Sequence, residues 1–298
     1  MLNTFHGYIL CNIDSPLAMW ETAIGRIKSV SNNPINGEIS SWMANFFSQY
    51  AARNKSFIIN ELNYEIVRQK FFPKKVSRLR CIYCFQNRDD VYRSQKWGGV
   101  WDEDYITEVL IALYQGTQVT KVDSNWVHAY QDQESTPMSD WIYKYWSGEA
   151  YDGGTPLWEY LLCGSGCILN NKLQQMAYER TMEQFPYSTP LLYVAVAAFS
   201  MLNMDEFARV IPYLGVDPKN KFHGQLVYLL HVKEFLEKDP KLVEAVELFK
   251  NNNYTVPIKF PPNSDTFFQA PDWTQKTISL PLIDIERVLN IVNAATIL

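Results

Sequence analysis

A single carboxylate interrupts the apolar run "TPLWEYLLCGSGCIL", which spans residues 155–169. Glu159 stands there between Trp158 and Tyr160. A carboxylate beside aromatic rings is costly to ionise unless a partner compensates for the lost water. Glu159 is therefore either half of a buried ion pair with a nearby basic residue, or a group kept available for a reaction. The apolar surroundings make the ion pair expensive without a ligand, which favours the functional interpretation.

Two further polar residues lie in strand-like apolar segments. His6 is followed by Gly7 in "FHGY", and Tyr83 lies in the middle of "RCIYCF". A histidine in a strand is commonly a core or edge residue, and tyrosine is a good strand former in any context. These residues join Glu159 in one site only if the fold brings all three to the same cleft.

Four of the five cysteines form two closely spaced pairs, Cys81/Cys84 and Cys163/Cys167. Two such pairs can build a tetrahedral zinc site. However, the alternation of a β-strand sends Cys81 and Cys84 to opposite faces, whereas a zinc site needs both sulfurs to converge. We therefore favour small buried hydrophobic residues in a reducing compartment and expect no metal.

Several common catalytic motifs are missing from the sequence. It contains no GxGxxG, GxxxxGK[ST], HExxH or GxSxG pattern. The usual dinucleotide-fold, P-loop, zinc-protease and hydrolase assignments therefore have no starting point.

The composition is that of a globular protein. The 298 residues are 47% hydrophobic and 14% aromatic, which is enough for one large core or two modest ones. The net charge of -5 argues against a general nucleic-acid coat. No apolar run reaches the roughly 18 residues of a membrane span, and the first residues lack a signal-peptide pattern. We expect a soluble, cytoplasmic protein with no membrane partner.

The elements that must position these residues are of both kinds. Helical spacing occurs in "PLAMWETAIGRIKSV" and over 38–52 and 60–71, and a strand follows over "RLRCIYCF". In the helix over 60–71, Leu62 and Ile66 are predicted to face inward, with Glu61, Glu65 and Arg68 on the other face.

The segments before Glu159 predict a hairpin, a helix and a strand. "DYITEVLIALY" and "TQVTKVD" are read as a hairpin about Gly116. "TPMSDWIYKYWSGE" is read as a helix with Thr136 at its cap, Pro137 in its first turn and Gly148 at its end. The strand that carries Glu159 is predicted over 157–163.

The pattern changes near residue 171. Four successive helical patterns follow: "NNKLQQMAYERTMEQF", "TPLLYVAVAAFSMLNMDEFARVI", "FHGQLVYLLHVKEFLEK" and "PKLVEAVELFKNN". The tail over 254–298 has strand-like, Pro-rich pieces and ends on a helix. We therefore predict an α+β domain over 1–170 and a mainly helical domain over 171–298.

Three of these segments carry a family resemblance. In order, "FHGY", "RCIYCF" and "LWEYLL" are similar to the His, Tyr and Glu segments of poly-ADP-ribose polymerase-like ADP-ribosyltransferases. The block from "YEIVRQKFFPKKVSRLRCIYCF" to "YWSGEAYDGGTPLWEYLLCGSG" resembles an uncharacterised bacterial and phage family with an ADP-ribosyltransferase-like fold. The resemblance covers about residues 57–170 and, more weakly, 5–10. It implies a split β-sheet core with flanking helices and NAD as substrate, and it is compatible with a toxin, a defence factor or a viral effector.

The resemblance also implies roles for individual residues. Glu159 would be the catalytic carboxylate, stabilising the positive charge that develops on the ribose as nicotinamide leaves. His6 would bind a ribose hydroxyl, and Gly7 would let its backbone approach the carboxamide. The other expected NAD contacts are Tyr83 stacked on the nicotinamide ring, Tyr92 or Trp97 on its other face, and Ser77 and Arg78 at the pyrophosphate.

The residue two positions before the catalytic glutamate bears on the acceptor. Members that modify arginine have a second glutamate there, whereas this chain has Leu157. We therefore expect a macromolecular acceptor other than arginine, either nucleic acid or protein. The basic residues of "KFFPKKVSRLR" are read as a solvated face, or alternatively as contacts to a phosphate-bearing target.

Two hypotheses follow for the whole chain. In the first, it is an NAD-dependent mono-ADP-ribosyltransferase whose helical C-terminal half presents the target or binds a regulatory partner. In the second, it is a catalytically inactive relative that acts as a binding or structural module. Convergence of His6, Tyr83 and Glu159 around one cleft would favour the first.

Overall fold

The fold is described from a computed structural model that covers residues 3–50, 55–94, 102–116, 119–217, 219–232, 240–251, 271, 278–280 and 284–295. The strands in these ranges are β1 (Thr4–Leu10), β2 (Arg26–Lys28), β3 (Ile82–Cys84), β4 (Ile106–Leu113), β5 (Thr120–Asp123), β6 (Trp158–Leu162), β7 (Gly164–Ile168), β8 (Arg209–Asp217), β9 (Asn220–His231) and β10 (Ile278–Leu280). The helices are α1 (Pro16–Ile24), α2 (Ser41–Tyr50), α3 (Lys55–Phe71), α4 (Arg88–Ser94), α5 (Asn125–Tyr130), α6 (Asp140–Ser147), α7 (Asn171–Gln184), α8 (Thr189–Leu202), α9 (Pro240–Asn251) and α10 (Ile285–Asn293).

Three antiparallel sheets organise these elements, which confirms a mixed α and β architecture. The strand orders are β1-β4-β7-β2, β3-β6-β5 and β10-β9-β8. The first two sheets meet at an isolated bridge between Tyr8 and Phe85, whose backbone groups exchange two hydrogen bonds of 2.8 Å. Consecutive strands β6 and β7 belong to different sheets, so the chain passes from one sheet to the other at Cys163.

The predicted strand over 157–163 is confirmed as β6, but the predicted hairpin about Gly116 is wrong. Strand β4 pairs with β1 and β7, whereas β5 pairs with β6 in the other sheet. The glycine does adopt a left-handed turn conformation, with φ of 82°. A turn signal predicts that the chain changes direction, but the pairing partner depends on strands far away in sequence.

One of the predicted C-terminal helices is a strand. The segment "FHGQLVYLLHVKEFLEK" supplies most of β9, which pairs with β8 on one side and β10 on the other, and its last six residues lie outside the described ranges. Similarly, α8 ends at Leu202, where Asn203 adopts φ of 52°, and "ARVI" continues into β8. Val227 and Tyr228 suit a strand, and pairing with β8 outweighs the local helical spacing.

Two predicted helices are confirmed with differences. Helix α6 ends at Gly148, which adopts φ of 81° as a left-handed cap, but its N-cap is Ser139, so Thr136 and Pro137 precede the helix. In α3 the face that carries Glu61, Glu65 and Arg68 is buried, because α6 and the segment before β3 cover it. An amphipathic pattern distinguishes two faces of a helix but does not say what covers the polar one.

One buried hydrophobic cluster extends across the predicted domain boundary at residue 170. It includes Trp20 and Phe47 from the first part together with Leu173, Leu192 and Val288 from the second. Among the described helices, none alone has the length and apolar composition to cross a membrane, and α7 with the segment Pro186–Leu202 meets these criteria only as a pair bent by 117°.

Candidate functional site

Strands β3 and β6 place Tyr83 and Glu159 on the same face of their sheet. Tyr83 lies opposite Leu161, and Glu159 is two residues from Leu161 along β6. Because side chains alternate along a strand, these three residues point to one side. Both Tyr83 and Glu159 line a cavity of about 190 Å³.

The Glu159 side chain is largely buried and meets one cation in the part of the chain that the structure describes. This side chain is 9% exposed, and the Nη1 atom of Arg78 lies 3.6 Å from its Oε2 atom. Within the described ranges it accepts no hydrogen bond, whereas the other buried acids, Glu38, Glu61, Glu65 and Asp123, all do. Because Glu159 lines the cavity, its carboxylate oxygens can accept a hydrogen bond from a ligand bound there.

Burial also controls the ionisation of Glu159. Loss of water raises the pKa of this carboxyl to about 7, against the lowering influence of the Arg78 guanidinium. The negative charges of Glu61 and Asp123 raise the pKa further. Near neutral pH the group therefore exists in both protonation states, which is the condition for a group that exchanges a proton or responds to a charged ligand.

Arg78 is held by partners within the protein. Its Nε and Nη2 donate to the two carboxylate oxygens of Glu61 at 2.8 and 2.7 Å, and Nη1 donates to the Tyr145 hydroxyl at 2.6 Å. The guanidinium also lies 5.2–5.3 Å from the ring centroids of Tyr64, Tyr83 and Tyr145. This buried group faces Glu159, so the predicted contact with a pyrophosphate does not fit its position.

Ser77 is likewise engaged away from the cavity. Its hydroxyl donates to Glu65 at 2.7 Å, and the same carboxylate accepts from Arg68 at 2.7 Å. Ser77 is buried and does not line the cavity. Its expected role at a pyrophosphate therefore has no support in the geometry.

The structure does not bring His6 to the site. Its ring is on the exposed side of β1, where Nε2 lies 2.5 Å from Glu108, and 56% of the side chain is accessible. The same strand reaches the cavity through Ile9 and Leu10, continuing to Cys11 and Asn12. The expected convergence of His6 with Tyr83 and Glu159 is therefore wrong.

Gly7 has a structural reason to lack a side chain. A Cβ at this position would lie 2.5 Å from the Phe85 carbonyl oxygen and 2.7 Å from the Cys84 sulfur. The glycine thus permits the close approach of β1 and β3 at the Tyr8–Phe85 bridge.

Tyr92 and Trp97 are the two residues expected on the second face of a nicotinamide ring. Tyr92 lies on α4, is half exposed and does not line the cavity. Trp97 falls outside the described residues. The aromatic neighbour that the structure gives Tyr83 is Trp42, with ring centroids 5.8 Å apart.

The basic cluster of "KFFPKKVSRLR" is divided between surface and core. Lys70 and Lys74 are exposed, whereas Arg78 and Arg80 are buried. Arg80 donates to the backbone carbonyl of Val292 in α10 at 2.9 Å. The cluster is therefore not a continuous basic surface.

Two helices contribute cavity residues that sequence reasoning missed. Residues at spacing i, i+3, i+4 and i+7 line the cavity from both: Trp42, Asn45, Phe46 and Gln49 of α2, and Ser124, Val127, His128 and Gln131 of α5 and its caps. In α2 the signal was a stripe of mixed aromatic and amide residues. Such a stripe does not distinguish a cavity wall from an ordinary surface.

The cavity lining also includes three cations, each paired with an acid. Arg26 binds Glu21 at 2.6 Å, Lys28 binds Asp205 at 2.5 Å, and Arg209 binds Glu38 at 2.8 Å. All the lysine and arginine side chains that line the cavity, within the described ranges, thus already have acidic partners. The same part of the chain holds no cluster of three or more metal-binding side chains.

The comparisons with known proteins place the chain in a family without assigning it an activity. No curated protein matches it. The family described as "Protein of unknown function (DUF2441)" matches residues 21–174, just over half of the chain and the part that contains Tyr83, Arg78 and Glu159. The chain therefore belongs to the DUF2441 family.

Proposed function

We propose that the protein is an NAD-dependent mono-ADP-ribosyltransferase in which Glu159 is the catalytic carboxylate. The observation that carries the proposal is this buried carboxylate, which faces a cavity, accepts no hydrogen bond within the described ranges and shares its face with Tyr83. A ribose hydroxyl would supply the missing donor. The resemblance of the Tyr83 and Glu159 segments to ADP-ribosyltransferases supports NAD as the substrate.

The chemistry suits a buried anion. The bond between nicotinamide N1 and ribose C1′ breaks, and its electron pair leaves with nicotinamide. The positive charge that develops on the ribose is stabilised by ionised Glu159, because a carboxylate in a low-dielectric cavity interacts strongly with it. A nucleophile of the acceptor then forms a bond to C1′ and loses its proton.

The finer fold belongs to the same proposal. The sheets β1-β4-β7-β2 and β3-β6-β5 are joined by the Tyr8–Phe85 bridge, which supports an ADP-ribosyltransferase-like split sheet. The cavity lies beside this junction and is smaller than the roughly 300–1,000 Å³ typical of pockets for drug-sized ligands. We therefore infer that it takes the nicotinamide-ribose end of NAD, the end that reacts.

Leu157 is consistent with an acceptor other than arginine. It is buried, and its backbone N–H donates to Asp123 at 2.9 Å, so this position offers no polar group to a target. We retain a macromolecular acceptor, nucleic acid or protein.

A second candidate function is that of a binding module without transfer activity. It is favoured by Arg78, which lies 3.6 Å from Glu159 and already neutralises part of its charge. In that case NAD, or another ligand with hydroxyl groups, would bind without loss of nicotinamide.

The two candidates are separated by measuring NAD binding by calorimetry and nicotinamide release with water or cell lysate as acceptor. Labelled NAD would then be followed into the protein and nucleic-acid fractions. We expect Glu159→Gln to lower nicotinamide release about 100-fold or more. Glu108→Gln, which removes a carboxylate outside the cavity, and His6→Ala should retain activity.

Binding without release in the wild type would favour the binding module. Absence of both NAD binding and Glu159-dependent release would overturn the proposal. Nicotinamide release needs no macromolecular acceptor, so a missing target does not obscure the result.

A further inference from the structure

The Arg78 guanidinium lies between two carboxylates and is bound by one of them. It makes two hydrogen bonds to Glu61, of 2.8 and 2.7 Å, but remains 3.6 Å from Glu159. Both acids are buried, on α3 and β6 respectively. The unequal distances show that Arg78 is hydrogen-bonded to Glu61 and not to Glu159, although both carboxylates are close enough to compete for it.

We propose that Glu61 is a positioning residue that holds Arg78 back from Glu159 and so leaves the Glu159 carboxylate available to a ligand. The inference rests on the proposed function for its catalytic consequence. Its structural part, the competition of two acids for one cation, can be tested without any reaction.

The geometry gives Arg78 few alternatives. Two planar N–H groups are matched to the two oxygens of Glu61, which is the strongest arrangement for an arginine and a carboxylate. The third group, Nη1, is directed to the Tyr145 hydroxyl and faces Glu159. If Glu61 lost its charge, Glu159 would be the nearest acid to Arg78 in this cluster, and a hydrogen-bonded pair there would seal the carboxylate that the ligand needs.

Other charged and titratable groups interact electrostatically with Glu159 or line the same cavity. They are Glu61 and Tyr64 on α3, Arg78 and Cys81 before β3, Tyr83 and Cys84 on β3, Asp123 at the end of β5, His128 on α5 and Tyr145 on α6. Of these, Glu61 is the one that binds Arg78 through both carboxylate oxygens. Replacing Glu61 with a neutral residue would therefore remove a negative charge that repels ionised Glu159. It would also free the Arg78 guanidinium, which attracts ionised Glu159.

The test is the pH dependence of nicotinamide release by the full chain. Activity should rise with pH as Glu159 ionises. Glu61→Gln should move this rising limb down by about one pH unit or more, because an opposite charge drawn close lowers a carboxyl pKa by roughly 1–3. The plateau rate should fall at least tenfold.

Glu65→Gln is the matched control. Glu65 is on the same helix, is equally buried and binds Arg68 and Ser77, so its loss disrupts a comparable ion pair. This variant should lower stability without moving the limb. Tyr145→Phe removes the hydroxyl that accepts from Arg78 Nη1 with little change of shape, so it should shift the rising limb in the same direction. It takes the place of Glu61→Gln in the test if that variant does not fold. An unchanged limb in Glu61→Gln, or in Tyr145→Phe when the first variant does not fold, would refute the proposal.

A second measurement separates this inference from the proposed function. The free energy of unfolding of each protein is compared with that of its Glu159→Gln derivative between pH 5 and 9, in the wild-type and Glu61→Gln backgrounds. In the Glu61→Gln background we expect Glu159→Gln to change the free energy of unfolding by less, and this change should reach its full size at a lower pH. If the wild type releases no nicotinamide but the two backgrounds differ in this way, the enzyme proposal fails and the role of Glu61 stands.

Discussion

Two buried acids at neighbouring strand positions illustrate how differently carboxylates can be used. Asp123 accepts three backbone N–H groups, from Asn125, Tyr151 and Leu157, and thereby fastens the loop around β5. Glu159, on the adjacent strand, accepts no hydrogen bond within the described ranges and faces a cavity. The first carboxylate stabilises the fold, whereas ionisation of the second has a cost in stability, because burial raises its pKa.

That cost gives a prediction for Glu159→Gln. The pKa of the wild-type carboxyl is about 7 when folded, above its ordinary value of 4.5, so the folded state binds the proton more tightly. The contribution of this group to stability is present below pH 4.5 and is lost as the pH rises through 7. Glutamine does not ionise, and we expect it to stabilise the protein by about 3 kcal/mol at pH 8 and by little at pH 4.5.

Urea unfolding across this pH range measures the difference. A variant that is as stable as, or less stable than, the wild type at pH 8 would show that Glu159 is well solvated or fully paired. Glu108→Gln serves as the control, since its parent carboxylate is partly exposed.

Substitutions of Tyr83 can separate the contribution of its ring from that of its hydroxyl. The hydroxyl donates to the Arg78 carbonyl at 2.7 Å, while the ring faces Arg78 and Trp42. Tyr83→Phe should lower the free energy of unfolding by about 1–2 kcal/mol, because a buried carbonyl loses its donor. It should leave NAD binding within a few-fold of wild type, whereas Tyr83→Ala should weaken binding much more. Calorimetry distinguishes these outcomes, and equal losses in both variants would assign the role to the hydroxyl.

At the scale of elements, the site depends on how closely β1 approaches β3. The bridge between Tyr8 and Phe85 joins the two sheets, and the end of β1 beyond it contributes Ile9 and Leu10 to the cavity. A strand that ran further from β3 would open this wall. The junction is therefore a place where a small side chain is required by packing.

Gly7→Ala tests that requirement. The added methyl group would lie 2.5 Å from the Phe85 oxygen, so one strand must move. We expect a loss of about 2 kcal/mol in the free energy of unfolding, the usual scale for overpacking a tight contact. Gly154→Ala, whose Cβ would meet nothing within 4 Å, should change stability by less than about 1 kcal/mol. Similar effects of both substitutions would mean that β1 and β3 are not closely packed.

At the scale of the whole molecule, the region that holds the site is fastened to the rest of the chain by buried polar contacts. Trp20 Nε1 donates to the Ala208 carbonyl at 2.9 Å, and Arg26 donates to the carbonyls of Asp205 and Phe207 at 3.0 and 2.7 Å. Helices α7 and α8 pack on α1 in the shared hydrophobic cluster. Both Trp20 and Arg26 are fully buried, so their partners are part of one core.

We therefore expect the fragment 1–170 not to fold by itself, although it contains Tyr83, Arg78 and Glu159. Removal of the remaining residues would expose Trp20 and leave the Arg26 guanidinium with Glu21 as its remaining partner. Near-ultraviolet circular dichroism and amide hydrogen exchange of the fragment should show loss of fixed tertiary packing. A cooperative unfolding transition of 1–170 with wild-type-like exchange protection would instead support two independent domains.

Local sequence patterns were sufficient for several features. The apolar run around Glu159 predicted a buried strand, and Gly148 predicted the end of a helix, because both depend on neighbours within a few residues. The mixture of helical and alternating patterns likewise predicted the α+β class. The burial of the Glu159 carboxylate could also be predicted, because it was inferred from the apolar residues beside it.

Tertiary structure alone decided which residues meet. The sequence could not place His6 outside the cavity, pair Arg78 with Glu61 across 17 positions, or divide β4 and β5 between two sheets. It also could not reveal that β9 is a strand, because its pairing with β8 and β10 outweighs local propensity. Each of these outcomes depends on contacts between distant segments, whose free energies exceed the small preferences that a local pattern records.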